Sequence, residues 1–144
     1  MKECPFCNPE IIKKQKIFET DSEYVIYNKS EANRGRCLVV PKRHVENIRE
    51  LSDVEVESLI KTVSLVSGKL KSYLNPAGIN YGFNEGKIAG QVVSHFHFHI
   101  LPRFKDDKIS RYHLFHGEPN SKSDLSGEKL KSLVTEFREI FGGR

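Results

Sequence analysis

The residues best equipped for chemistry stand in the run Ser94-His95-Phe96-His97-Phe98-His99-Ile100-Leu101-Pro102-Arg103. On a strand, alternation puts the three imidazoles on one face and Phe96, Phe98 and Ile100 on the other. The apolar face buries in a core and fixes the register, leaving the imidazoles toward a surface or cleft. Imidazole serves either as a metal ligand or as a base and nucleophile near neutral pH. One shared metal is the first reading, since His-x-His pairs do converge on zinc. Same-face neighbours lie ~6.6–7 Å apart, so the outer pair is ~13 Å apart. Zinc–nitrogen bonds are only about 2.0–2.1 Å long. Three histidines along one flat strand do not readily share one ion. The other reading gives each histidine its own task.

A second chemical signal is Cys4-x-x-Cys7. In a reducing compartment it reads as a metal site or a redox pair sooner than as a disulfide framework. The third cysteine, Cys37, lies in an apolar run and reads as a packed strand residue.

The elements that must position these groups follow from periodicity and punctuation. Residues 16–28 read as a strand pair turning at Asp21-Ser22-Glu23. Asn33-Arg34-Gly35 reads as a turn, and Arg36-Cys37-Leu38-Val39-Val40 as a buried strand closed by Pro41. Ser52-Asp53-Val54-Glu55 has the form of a capping box. Behind it Val56, Leu59, Ile60, Val63, Val66, Leu70, Tyr73 and Leu74 form one stripe on a helix over 52–74, ended by Asn75-Pro76. Further strands are predicted over 78–84 and 92–104. A second helix is predicted over 127–141, stopped by Gly142-Gly143. The polar segment 105–126, with His113 and His116, reads as a long loop, exposed or able to cover the site. The expected fold is a single α+β domain over 1–144: a mostly antiparallel sheet of about five strands, one long helix and a C-terminal helix.

The bulk numbers bound the function. A chain of 144 residues with 38% hydrophobic and 29% charged residues is an ordinary globular chain. Its net charge of +4 favours anionic ligands such as phosphates, but is too small and scattered for nucleic-acid binding. No apolar run approaches a membrane span, and Met1-Lys2-Glu3-Cys4-Pro5-Phe6-Cys7 holds no hydrophobic signal core, so the expected location is the cytoplasm.

Taken together these residues resemble the histidine triad (HIT) family of nucleotide hydrolases and transferases. The triad His95-x-His97-x-His99 is flanked as in that family by Asn84-Glu85-Gly86, Ala89-Gly90-Gln91-x-Val93 and Pro102-Arg103. Asn28 and Gly35-x-x-Leu38-Val39-Val40-Pro41-Lys42-x-His44 match its N-terminal half, so the pattern covers about residues 4–104. Three positions depart from it. Arg36 stands where the family often has histidine. Phe96 replaces the proline of the galactose-1-phosphate uridylyltransferase branch, which argues against that branch. Val92 replaces a serine seen near the phosphates in the phosphoramidase branch.

The resemblance implies a role for each residue. His97 is the nucleophile that forms a covalent nucleotidyl-histidine at the α-phosphorus. His99 binds phosphate oxygens, with Asn84 and Gln91 as neutral donors and the backbone around Gln91, Val92 and Val93 cradling the α-phosphate. Asn28 takes the ribose-binding position. Arg103 either lends positive potential or is a solvated surface residue. Cys4, Cys7, His44 and His95 resemble the structural zinc set of some relatives. A purine nucleotide substrate, a homodimer and no organic cofactor complete the expectation. Candidate substrates are diadenosine polyphosphates or adenosine phosphoramidates. The rival is a nucleotide-binding regulatory module with little catalysis.

Overall fold

A computed structural model describes residues 4–29, 34–109 and 124–142. Its centre is one five-stranded sheet, antiparallel throughout. The strands are β1 (Lys16–Glu19), β2 (Glu23–Tyr27), β3 (Cys37–Pro41), β4 (Gly78–Gly82) and β5 (Phe98–Arg103), in the order β1-β2-β3-β5-β4. With helices α1 (Pro9–Gln15), α2 (Asp53–Leu74) and α3 (Gly127–Glu139), this is the expected α+β architecture.

The long helix forms where its signals stand. The Ser52 hydroxyl accepts from the Glu55 amide at 3.1 Å, and the Glu55 carboxylate accepts from the Ser52 amide at 2.8 Å. This reciprocal pair satisfies two donors at the open helix start. At the far end Asn75 turns left-handed, with φ 46°. Leu59, Val63, Val66 and Leu70 bury one stripe of α2 against the sheet. Ile60 and Tyr73, expected in the same stripe, are about half exposed at 53% and 45%.

Alternation along β3 divides the interior. Cys37 and Val39 join the core beneath α2 and α3, with Val25, Tyr27, Ile100 and Phe137. Leu38 and Val40 point the other way, to a smaller cluster with Phe6, Ile12 and Ile26. Between β2 and α2 the buried Glu23 carboxylate accepts from the hydroxyls of Thr20, Ser58 and Thr62 at 2.6, 3.0 and 2.9 Å. Gly35 ends the turn before β3 with φ +88°, and a Cβ there would lie 2.4 Å from a Leu74 methyl. Only glycine fits both the angle and the space.

Three expectations need correction. The strand predicted over 92–104 begins only at Phe98, because the Phe96 amide leaves the ladder and donates to the Val45 carbonyl at 2.7 Å. His95 and His97 therefore sit in irregular backbone before β5. The strand predicted over 78–84 ends at Gly82. Helix α1 was not predicted, although Asn8 caps it and Pro9 opens it. Of the predicted loop, residues 110–123 lie outside the described residues, His113 and His116 among them. Helix α3 starts where expected, at Gly127, and ends at Glu139. Among the described residues no helix is long and apolar enough to cross a membrane.

Candidate functional site

The three histidines, two of them in irregular backbone before β5, differ in exposure. His95 is fully buried and His99 is 4% exposed, while His97 keeps part of its ring open. The expected alternation holds, with Phe96, Phe98 and Ile100 in the core, although β5 begins after two of the histidines and only His97 stays partly open.

His95 turns toward the N-terminal arm. Its Nε2–H donates to the Pro41 carbonyl at 2.8 Å, which leaves Nδ1 with its lone pair. That Nδ1 lies 3.4 Å from Cys4 Sγ, 3.6 Å from Cys7 Sγ and 3.1 Å from His44 Nδ1. Cys7 Sγ lies 3.3 Å from His44 Nδ1. All four ligand atoms fall within 4.8 Å of one another. A tetrahedral site with metal–nitrogen bonds of about 2.0–2.1 Å and metal–sulfur bonds of about 2.3 Å has edges of roughly 3.3–3.8 Å. The four atoms therefore fit one ion with little adjustment. A ligating histidine whose other ring nitrogen donates to a backbone carbonyl is the usual outer arrangement of such sites. Burial pushes the His95 imidazole down to about 4, which keeps it in the neutral form a metal requires.

The arm closes by a single helical turn. Pro5–Cys7 form a 3-10 segment in which the Cys7 amide donates to the Cys4 carbonyl at 3.1 Å. This brings both thiols to one side and directs Phe6 inward. The Phe6 ring meets His95 at 5.7 Å and His97 at 5.2 Å between centroids. Sequence reasoning passed over Phe6. Its signal was its place inside Cys-x-x-Cys, where a ligand turn forces the enclosed side chains to choose between solvent and core.

His97 is the most accessible of the three. Its Nδ1–H donates to the His95 carbonyl at 2.7 Å, so Nε2 carries the lone pair. Burial lowers the tendency of His97 to protonate, and the Arg36 charge lowers it further against the opposing hydrogen bond. The ring of His99 lies 4.9 Å from that of His97. This spacing is closer than a regular strand gives, since the strand starts between them.

Arg36 and Asn28 lie beside this group through strand register. The Asn28 amide donates to the Arg36 carbonyl at 2.9 Å, extending the β2–β3 ladder by one pair. Alternation puts both on the face of Leu38 and His99. Arg36 is 8% exposed, and its field reaches His97.

The loop before the triad is held from within. Gln91 accepts from the Gly86 amide at 2.8 Å and donates to the Glu46 carbonyl at 3.0 Å. Asn84 donates to the Gly90 carbonyl at 3.4 Å. Val92 is exposed. Arg103 lies at the other end of β5, bound to Asp107, Asn80 and the Ile109 carbonyl. Neither reading of Arg103 describes it, because it ties β5 to β4 and to the following turn.

Comparisons with known proteins show the family to which this fold belongs. The HIT domain family model matches residues 10–106. The bis(5'-adenosyl)-triphosphatase of Dictyostelium discoideum is 28% identical over 137 residues, covering 94% of this chain and 92% of that one. A histidine triad nucleotide-binding protein of Sulfolobus tokodaii is 30% identical, with a TM-score of 0.71 over 94% of this chain and 92% of that one. A zinc-bound histidine triad family protein of Mycobacterium smegmatis is 26% identical, with a TM-score of 0.66 over 96% of this chain and 97% of that one.

Proposed function

This chain belongs to the HIT domain family of nucleotide hydrolases and transferases, and from that premise we propose that it cleaves a purine nucleotide at the α-phosphate through His97. The observation that carries the proposal is the bond from His97 Nδ1–H to the His95 carbonyl. It fixes the tautomer and leaves Nε2 as a nucleophile on the most open of the three rings.

In the first step the Nε2 lone pair forms a phosphorus–nitrogen bond to the α-phosphorus. The bond from that phosphorus to the leaving group breaks, and its electron pair departs with the leaving oxygen or nitrogen. In the second step a water oxygen bonds to phosphorus, the P–N pair returns to Nε2, and the water's protons pass to solvent and phosphate. His99 binds phosphate oxygens, and Asn28 meets the ribose. The backbone of Gln91, Val92 and Val93 cradles the α-phosphate, with Asn84 beside it. Gln91 has one side-chain N–H left for this task, and its main work is to hold the loop. The Dictyostelium relative supports a dinucleoside polyphosphate over a phosphoramidate as the substrate.

Cys4, Cys7, His44 and His95 hold a structural zinc ion, and a closed set of four ligands leaves it no position for substrate. The working form is a homodimer. Exposed Ile60 on α2 and Tyr81 on the edge strand β4, which Ser67 holds alongside α2, supply an apolar patch for it. Light scattering tests this, and an active monomer of 16.5 kDa refutes it.

The decisive experiment incubates the protein with radiolabelled diadenosine polyphosphates and adenosine phosphoramidate and quenches in base, where a P–N bond survives. Adenylate on the His97 peptide is the expected result. Binding of every compound with turnover of none would make the chain a nucleotide-binding regulatory module instead.

A further inference from the structure

We infer that Phe6 is the positioning residue through which the Cys4/Cys7/His44/His95 cluster orients His97, an inference that rests on His97 being the nucleophile. Among the described residues, three contacts hold the His97 ring. One is the carbonyl of His95, itself a cluster residue. The second is the Phe6 ring, inclined at 62° and 5.2 Å away. The third is the ring of His99 at 4.9 Å. Two of the three thus belong to the cluster or to the turn it closes.

Phe6 has little freedom of its own once that turn is formed. It lies between the two cysteines in a single 3-10 turn and is 7% exposed. It is packed with Ile12, Ile26, Leu38 and Val40 and meets His95 edge-on at 89°. A histidine side chain has two torsions, and the second is broad. A hydrogen bond at Nδ1 fixes the direction of one ring atom but lets the ring tilt about it. The Phe6 edge limits that tilt, which sets where the Nε2 lone pair points. Misplacing a reacting atom by about 1 Å can cost on the order of 10²-fold in rate. The cluster therefore acts on the chemistry through packing, with no ligand position open to substrate.

The test uses zinc-loaded protein and the variants Phe6→Leu, which keeps apolar volume so that the arm stays packed, and Phe6→Tyr, which keeps the ring. Phe6→Leu should retain one zinc per chain and bind nucleotide within about threefold of wild type. Its rate of adenylate transfer to His97 in a single turnover should fall roughly 10- to 100-fold. Carbon-13 relaxation of the His97 ring, which reads ring motion without any turnover, should show a wider tilt while the Nδ1–H tautomer persists. Phe6→Tyr should restore both readouts to within about threefold. An unchanged transfer rate and ring motion in Phe6→Leu overturns the inference, as does loss of zinc, which would mean that Phe6 serves the cluster alone. A wild-type protein that forms no adduct on His97 refutes the nucleophile reading itself, and is recognised before any variant is compared.

Discussion

The two faces of the sheet are held by different physics. On one, α2 and α3 press hydrocarbon onto β2, β3 and β5, with Val25, Val39, Val66, Leu70, Ile100 and Phe137 all at 0% exposure. On the other, a short arm reaches the sheet through two thiols, two imidazoles and one phenyl ring. The first face draws on many small dispersion contacts, and losing one leaves the rest in place. The second adds a few directional links, each with a fixed partner, to a smaller apolar cluster of Phe6, Ile12, Ile26, Leu38 and Val40. The proposed chemistry falls on the directional face, where a lone pair can be aimed, and most of the cohesion on the other. Perturbations of the two faces should separate function from stability.

The largest separation is expected at His97. His97→Asn removes the nucleophile while leaving the pocket, so turnover and adduct should both vanish, with nucleotide binding and melting temperature retained. Turnover surviving in that variant would mean that water attacks directly. Next comes Cys7→Ser, which opens the cluster. Metal analysis should drop from about one zinc per chain to none, and melting should fall by roughly 10 °C or more. Equal melting with and without metal would show that the arm holds without it.

On the hydrocarbon face, Phe137→Ala should cost about 3–5 kcal/mol by denaturant titration, because the ring packs against Tyr27 and Tyr73 and leaves a cavity. Activity per folded molecule should stay within about twofold in an assay well below melting. A selective loss of kcat would show that the faces communicate.

The smallest effect tests the capped start of α2. Arg43 first, then the Ser52 amide, hold the Glu55 carboxyl down at about 2. A depressed carboxylate stabilises the fold above its unfolded value of about 4.3, and that stability drains away as pH falls from there toward 2. Glu55→Gln should therefore cost about 1 kcal/mol at pH 7, with solvent screening of the Arg43 pair keeping it small. The difference from wild type should shrink on acidification over that window. A gap that stays constant from pH 7 to pH 2.5 would assign the effect to something other than charge.

What was legible in the sequence was what local rules govern. Ser52 and Glu55 announce α2 within four residues, and Leu59, Val63, Val66 and Leu70 repeat its period. The triad and its flanking motifs were legible as a resemblance. The start of β5 was not, because it depends on the Phe96 amide meeting the Val45 carbonyl, a partner 51 residues away. Part of the fate of Arg103 was hidden for the same reason, since Asn80 comes to it through the β4–β5 pairing, whereas Asp107 stands only four residues on. Helix α1 did carry a signal in Asn8-Pro9, but seven residues are too few for periodicity to speak.

The cluster also has a consequence during synthesis. Cys4 meets His95 across 91 positions of chain. At about 5–20 residues per second the arm leaves the ribosome roughly 5–18 s before its last partner is made. Through that interval both thiols lack the histidines that meet them in the folded chain. The arm must wait until β3 and the triad segment have come together. The long loop then closes last, when most of the chain's entropy has already been lost. Assembly of the four-residue cluster thus reports that the rest of the domain is in place, and a chain misfolded around the sheet is left with both thiols apart from their histidines.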